Sequence, residues 1–475
     1  MSARDRLVPA LVGVAAAAFV AWGSWIPSLW GDEAATALSA ERTIASLLTM
    51  ARHLDAMHAA YYALMHAVIT VLGVSPVALR LPSAVAVGAT AAGLVVLMRL
   101  LGRGARVGVL AAAVFAVLPR TQYIGQEARS FALDAAVVTW SLVAFTAAVR
   151  DPAARRRWWA LYGLGVATSI WLFPYDVTVI AVAGAVLAVS GARRMLVPWA
   201  VASTCAVAAA APVLVFTFRE RGQVAYLADS PVTAAQVLVS TWFGAPAFAV
   251  VAWALIAAAL LAAALRRELR SHTLVVAWAF LPMLGLLATQ PFLHEFAERY
   301  VAFCTPAVGA LVAEGVRELW RRGRTLGVVA AAFLLAVAVP ATAHQRTPYS
   351  ESGSDWAALA EYLHRHAAPG DDVLFAQTVS PSQRARNSLR LYPEDFRGLR
   401  DVALLVPWYD SATSWHDRAL TVGKAVDAGR VTARRVWVVE TRGSGSEGLP
   451  QLRREGYAVA SRHHFDVDTV YELAR

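Results

Sequence analysis

Apolar residues run through this chain in long blocks separated by short polar breaks, and the lengths of the blocks predict what they do. Runs that reach or approach a bilayer's thickness lie at about 7–29, 77–98, 107–124, 130–149, 158–173, 177–191, 195–217, 237–265, 273–290, 300–316 and 325–342, against a requirement of roughly 20 residues. These eleven runs predict a polytopic α-helical membrane protein with about 11 transmembrane helices. From about His344 onward the pattern changes to charged and turn residues, with short apolar strands such as 372–376 and 435–440 among helical periodicities. That alternation predicts a small α/β domain of about 130 residues. The expected division is a membrane domain over 1–343, with an external loop at 30–76, and a soluble domain over 344–475.

Loop charge orients the spans. Arginines cluster in alternate loops: Arg99, Arg103 and Arg106; Arg150 with Arg155 to Arg157; Arg193 and Arg194; Arg266, Arg267 and Arg270; Arg317, Arg321, Arg322 and Arg324. The positive-inside rule makes these loops cytoplasmic. The apolar segment from His58 to Gly73 has only 16 residues, and counting it as a span would carry every cluster outside. It is therefore expected to lie as a helix at the outer interface. Loops 30–76, 120–129, 174–176, 218–236 and 291–299 then face outward from a plasma membrane, together with the C-terminal domain. The first run follows a short basic stretch, Met1 to Arg6, and exceeds the apolar core of a signal peptide, so a retained span is expected.

Composition supports lipid as the solvent. Of 475 residues 58% are hydrophobic and 16% charged, with a mean hydropathy of +0.51, more apolar surface than one soluble core buries. The net charge is +10, and Lys424 is the sole lysine. In a membrane protein such a balance reflects anchoring and excludes nucleic acid as the expected partner. Cys205 and Cys304 sit in apolar runs without partners at metal-ligand spacing.

Candidate chemistry collects in the loops assigned to the outside. Asp32 and Glu33 are adjacent carboxylates at the external end of the first run. A half-desolvated acid there suits a general base or a divalent cation, and equally suits the first turn of a helix. Asp55 and His58, spaced i, i+3, would share a helical face leading to Tyr61 and Tyr62. Asp55 could also cap that helix, and His58 could simply be interfacial. Gln126, Glu127 and Arg129 open the fourth span, with Asp134 beyond them. An arginine at a helix start suits an anionic phosphate, or pairs with Glu127 or Asp134 as a structural bridge. Arg299 and Tyr300 precede the tenth span, after His294, Glu295 and Glu298, and Tyr175 with Asp176 is a fainter hint of the same sort. A surface ion pair and an aromatic belt are the plainer account of the last group.

These residues resemble the GT-C superfamily of polyprenyl-phosphate-dependent glycosyltransferases, in particular its protein O-mannosyltransferase and aminoarabinose-transferase branch. Gly31–Glu33 is similar to the acidic motif of that family's first external loop, and Asp55–Tyr62 to its His-Pro-Pro-Leu-Tyr-Tyr segment, with Ala59 and Ala60 in place of the prolines. Arg80–Ser83, Gln126–Phe131 and Arg299–Tyr300 resemble further family blocks, and the likeness covers residues 7–342. More narrowly, the chain resembles actinobacterial membrane proteins of the mannosyltransferase kind.

The resemblance implies transfer of a sugar, mannose first, from a polyprenyl-phosphate donor to a hydroxyl of a glycan, glycolipid or protein acceptor, with inversion. Asp32 would be the general base, assisted by Glu33; Arg129, Arg299 and Tyr300 would hold the donor phosphate. Asp55, His58, Tyr61, Tyr62, Gln126 and Glu127 would shape the acceptor and lipid entry. No cofactor is required, although Asp32, Glu33 and His58 could take a divalent metal ion. The competing expectation is a transporter or flippase of a lipid-linked sugar, which would place broken helices and polar groups near the midplane.

Overall fold

The structure, a computed structural model, describes residues 3–229 and 231–475. Met1 and Ser2, at the head of the basic stretch, lie outside the described residues. Helices follow in chain order as α1 (Ala3–Ala21), α2 (Gly31–Ala40), α3 (Ile44–Met50), α4 (Ala59–Leu72), α5 (Pro76–Leu100), α6 (Ala105–Val117), α7 (Pro119–Gly125) and α8 (Phe131–Arg150). Next come α9 (Arg155–Leu172), α10 (Val179–Ser190), α11 (Leu196–Arg219), α12 (Pro246–Leu265), α13 (Thr273–Leu293), α14 (Thr305–Arg322) and α15 (Arg324–His344). The chain divides into two compact units: Met1–Trp22, Ala56–Tyr61 and Arg80–His344 form the first, and Gly23–Asp55, Tyr62–Leu79 and Gln345–Arg475 the second.

In the first unit each of the eleven apolar runs carries a helix, but the helices are not alike. Six of them, in α5, α8, α11, α12, α13 and α15, are long and apolar enough to cross a membrane; a bent pair, α6 with α7, makes up to seven. The bend is 70° and has a local cause. Leu118 precedes Pro119 and adopts φ −61°, ψ 133°, because a proline ring disfavours helical geometry in the residue before it. α1 and α10 are apolar but short. α9 has three arginines in its first turn, and α14 carries Glu314, Arg317 and Glu318. Continuous hydropathy therefore marked the runs without distinguishing long straight helices from short or charged ones. α4, with 14 residues, rises about 21 Å and is too short for a core of about 30 Å.

Packing in this unit is close. A Cβ on Gly315 of α14 would overlap the Leu255 carbonyl of α12, the small-residue contact that lets membrane helices approach. At one end of the bundle Glu314 and Glu318, both buried, gather arginines from two loops and from α14 itself. Arg103 Nε lies 3.2 Å and Arg317 2.7 Å from Glu314. Arg266 grips Glu318 with two hydrogen bonds of 2.6 and 2.7 Å. Three clusters that the loop-charge reading puts on one side thus meet at one end.

The second unit holds the sheet. Strands β1 (Asp372–Phe375), β2 (Arg400–Asp401), β3 (Leu404–Val406), β4 (Arg418–Ala419), β5 (Arg435–Thr441), β6 (Ala458–His464) and β7 (Asp468–Ala474) appear in chain order. Five form a sheet in the order β2-β1-β5-β7-β6. β1 pairs parallel with β2 and β5, and β7 antiparallel with β5 and β6. β5 is central, so both its faces are apolar: Trp437 and Val439 enter one core with Leu359 and Phe375, and Val436 and Val438 another with Leu374 and Leu452. This is the small α/β element expected after His344.

Candidate active site

In the first unit the turn between α7 and α8 is fixed on three sides. Gln126 Nε2 donates to the Val20 carbonyl of α1 at 2.9 Å. Ser83 Oγ of α5 donates to the Glu127 carbonyl at 2.6 Å. Ser130 Oγ donates to the Asp134 carboxylate at 3.1 Å. Gln126, Glu127 and Arg129 are all buried, so the turn is an interior shelf. Arg80–Ser83 and Gln126–Phe131, two separate sequence blocks, are therefore one structural element.

Arg129 projects from this shelf to His58. A guanidinium nitrogen donates to His58 Nε2 at 2.9 Å, and a guanidinium has no lone pair to accept, so Nε2 is the acceptor and the ring is neutral. Burial pushes the His58 pKa well below its ordinary value, and the charges of Arg129 and Arg299 push the same way. Both cations therefore act on one imidazole. The adjoining Ala56 N–H donates to Glu220 Oε2 at the end of α11 at 2.9 Å, a contact that sequence spacing gave no sign of. Tyr61 is fully buried beside them in the chain.

Arg299 and Tyr300 lie in a 3-10 segment over Glu298–Cys304. The Tyr300 ring stacks on Tyr175, with centroids 5.1 Å apart, and packs on Phe173 at 5.2 Å. Tyr175 Oη donates to Glu295 at 2.6 Å; burial, then this bond, raises the phenol's pKa. Glu298 pairs with Arg120 at 3.3 Å. The aromatic stack thus fixes the segment that bears Arg299. Tyr175, a faint hint in the sequence, is a structural centre.

The second unit holds the acidic residues. Trp30, extended at φ −132°, is the N-cap of α2, which puts Asp32 and Glu33 in its first turn. Neither carboxylate is the cap. Both stand where the helix dipole favours negative charge, Asp32 half-buried and Glu33 fully buried. Gly31 is obligatory, since a Cβ there would overlap the Ser382 carbonyl oxygen. The preceding turn is held as well: the Leu29 N–H donates to Tyr392 Oη at 2.9 Å, and Ser354 Oγ donates to the Leu29 carbonyl at 2.7 Å. Beyond the far end of α2, Arg42 is buried and donates to the carbonyls of Trp408, Ser411 (2.7 Å) and Ser414 (2.5 Å).

Asp55 differs from expectation. It adopts φ +60°, a left-handed conformation that aspartate tolerates better than most residues, so it does not continue one helical face to His58. Its carboxylate accepts instead from Tyr62 Oη at 3.0 Å. Among the described residues no group of three or more His, Cys, Asp or Glu side chains is placed to hold a metal ion. His58 Nε2 is already engaged by Arg129.

No family model and no curated protein sequence matches the chain. Solved structures do. ArnT from Cupriavidus metallidurans bound to undecaprenyl phosphate matches with a TM-score of 0.59 at 16% identity, over 97% of each chain. An oligosaccharyltransferase from Archaeoglobus fulgidus, in complex with Zn and sulfate, matches with a TM-score of 0.51 at 12% identity, over 92% of this chain and 68% of that one. The archaeal oligosaccharyltransferase AglB from the same organism, with an inhibitory peptide and a dolichol-phosphate, gives 0.51 at 10% identity, over 90% and 69%. The chain shares its fold with this ArnT structure over 97% of its length and with the archaeal oligosaccharyltransferase over 92%.

Proposed function

We propose that the chain transfers a sugar, mannose first among candidates, from a polyprenyl-phosphate donor to an acceptor hydroxyl at the outer face of the plasma membrane. The observation that carries this reading is the pair Arg129 and Arg299, two guanidiniums whose charges converge on one buried neutral ring. It occurs in a fold shared over 97% of both chains with a protein bound to undecaprenyl phosphate. Two arginines, with Tyr300 beside Arg299, suit a phosphate that must gain charge as it leaves.

In this reading Asp32 accepts the proton of the acceptor hydroxyl as its oxygen attacks the anomeric carbon. The bond from that carbon to the phosphate oxygen breaks, and its electron pair leaves with the polyprenyl phosphate. Arg129 and Arg299 neutralise the new charge, so no general acid is needed. A single displacement inverts the anomeric centre. Glu33 supports the base, and Asp55, Tyr61, Tyr62, Gln126 and Glu127 shape the binding of acceptor and lipid. The acceptor is a glycan, glycolipid or protein hydroxyl, and the 344–475 domain is assigned to the same outer side.

The test uses the purified chain in lipid vesicles with a labelled polyprenyl-phospho-mannose and envelope glycan fractions as acceptors. Asp32→Asn should abolish transfer while leaving the melting temperature unchanged. Full activity in that variant would remove Asp32 from the role of base.

A further inference from the structure

Three of the five loop-arginine clusters meet Glu314 or Glu318, as described above. The cluster Arg155–Arg157 does not. It stands at the start of α9, at the mouth of a cavity of about 1080 Å³ between α9 and α11. Among the described residues that line this cavity none is acidic. Asp151, the nearest acid in the chain, accepts from the backbone N–H groups of Ala153 and Ala154 at 3.0 and 3.3 Å and so caps the turn.

The walls below the arginines are apolar and small. α9 and α11 run parallel: a Cβ on Gly163 would stand 3.2 Å from the Ala202 carbonyl, and Trp171 Nε1, further along α9, donates to the Ala209 carbonyl, further along α11, at 3.1 Å. Buried Trp159 forms part of the floor, while Leu164, Val197 and Val201 are exposed along the rim. The lining runs from Arg155 to Ala167 on one helix and from Val197 to Ala209 on the other. Twelve residues of helix rise about 18 Å, close to one leaflet of a core about 30 Å thick. Arg193 and Arg194, in the turn that leads into α11, add charge at the same end.

We propose that the α9–α11 groove is a binding site for an anionic phospholipid of the bilayer, with its phosphate at Arg155–Arg157 and an acyl chain along the groove. Charge at one end, an apolar trough one leaflet deep and no acidic lining residue fit that occupant. Anionic headgroups recognised by basic pockets between membrane helices are the general form of such sites. The site is independent of the sugar-transfer reading, since it uses none of the residues assigned there.

Cys205 lines the groove and is exposed, whereas Cys304 is buried, so the unaltered chain carries its own reporter. The full chain is stripped of lipid in detergent, then mixed with phosphatidylglycerol or with phosphatidylcholine of the same acyl chains. Phosphatidylglycerol should raise the melting temperature and slow labelling of Cys205 by an apolar maleimide, and phosphatidylcholine should do neither to the same extent. The variant R155Q/R156Q/R157Q should need at least about tenfold more phosphatidylglycerol for the same protection. Should it fail to fold, R156Q/R157Q, at two exposed positions, should weaken protection in the same direction. R321Q/R322Q/R324Q is the charge-matched control and should leave protection unchanged. Equal protection by both lipids, full protection in both the triple and the double variant, or an equal loss in the control would overturn the site.

Discussion

His58→Phe isolates what the buried imidazole does, because it keeps a ring in place and deletes the nitrogen that accepts from Arg129. The contact is 2.9 Å long and its donor is charged. Such a bond contributes about 1.5–3 kcal/mol, and the burial of both residues argues for the upper part of that range. If Arg129 holds the donor phosphate, its freed guanidinium should lower transfer by roughly ten- to a hundredfold, at about 1.4 kcal/mol per factor of ten. The effect should be shared between donor KM and kcat, since charge on the leaving phosphate grows in the transition state.

A second readout separates this from general loosening. Burial, Arg129 and Arg299 hold the folded His58 pKa well below its ordinary value, so as pH falls the unfolded chain takes up the proton first. Stability is therefore complete above about pH 6.5 and declines below it, by at most about 1.4 kcal/mol per pH unit, until the folded pKa is reached. Melting temperatures measured from pH 7.5 to 5 should fall on the acid side in the wild type and fall less steeply in His58→Phe. An unchanged donor KM together with an unchanged acid slope would refute the reasoning.

The second unit makes two further predictions. Gly31→Ala adds a carbon that overlaps the Ser382 carbonyl; the first turn of α2 must shift, at a cost of about 1–3 kcal/mol. Because Asp32 moves with it, transfer should fall by up to a hundredfold, and a variant with wild-type melting and rate would show that the turn has slack. Arg42→Met leaves the carbonyls of Trp408, Ser411 and Ser414 without that donor, about 1–3 kcal/mol for each that stays buried. Limited proteolysis should then cut within 408–414 well before the rest of the unit, and an unaltered digestion pattern would remove Arg42 from the clamp.

The parts of this molecule that were legible in its sequence are those whose physics is local. Hydropathy found a helix in every apolar run, but a run does not record where a proline bends it, as at Pro119. The motif blocks were visible as letters, while their partnership was not. Ser83 meets Glu127 across 44 residues, and His58 meets Arg129 across 71. The i, i+3 rule failed at Asp55 because a left-handed residue breaks the helical spacing the rule assumes. Arg42, Tyr392 and Glu220 left no trace, since each acts on a backbone group far away in the chain.

The arginines show how one sequence signal can bear on two different kinds of physics. The loop-charge reading rests on the resistance of a charged loop to crossing the bilayer, which is a property of each loop alone. Once the bundle folds, the same charges need partners. Arg103, Arg266 and Arg317 find theirs on one helix, in Glu314 and Glu318, which are buried at the foot of α14. A carboxylate buried without such cations would cost several kcal/mol, so α14 depends on loops distant in sequence. Loop charge and packing thus act on the same residues by different physics, and of the clusters that do not meet Glu314 or Glu318, Arg155–Arg157 lines a groove.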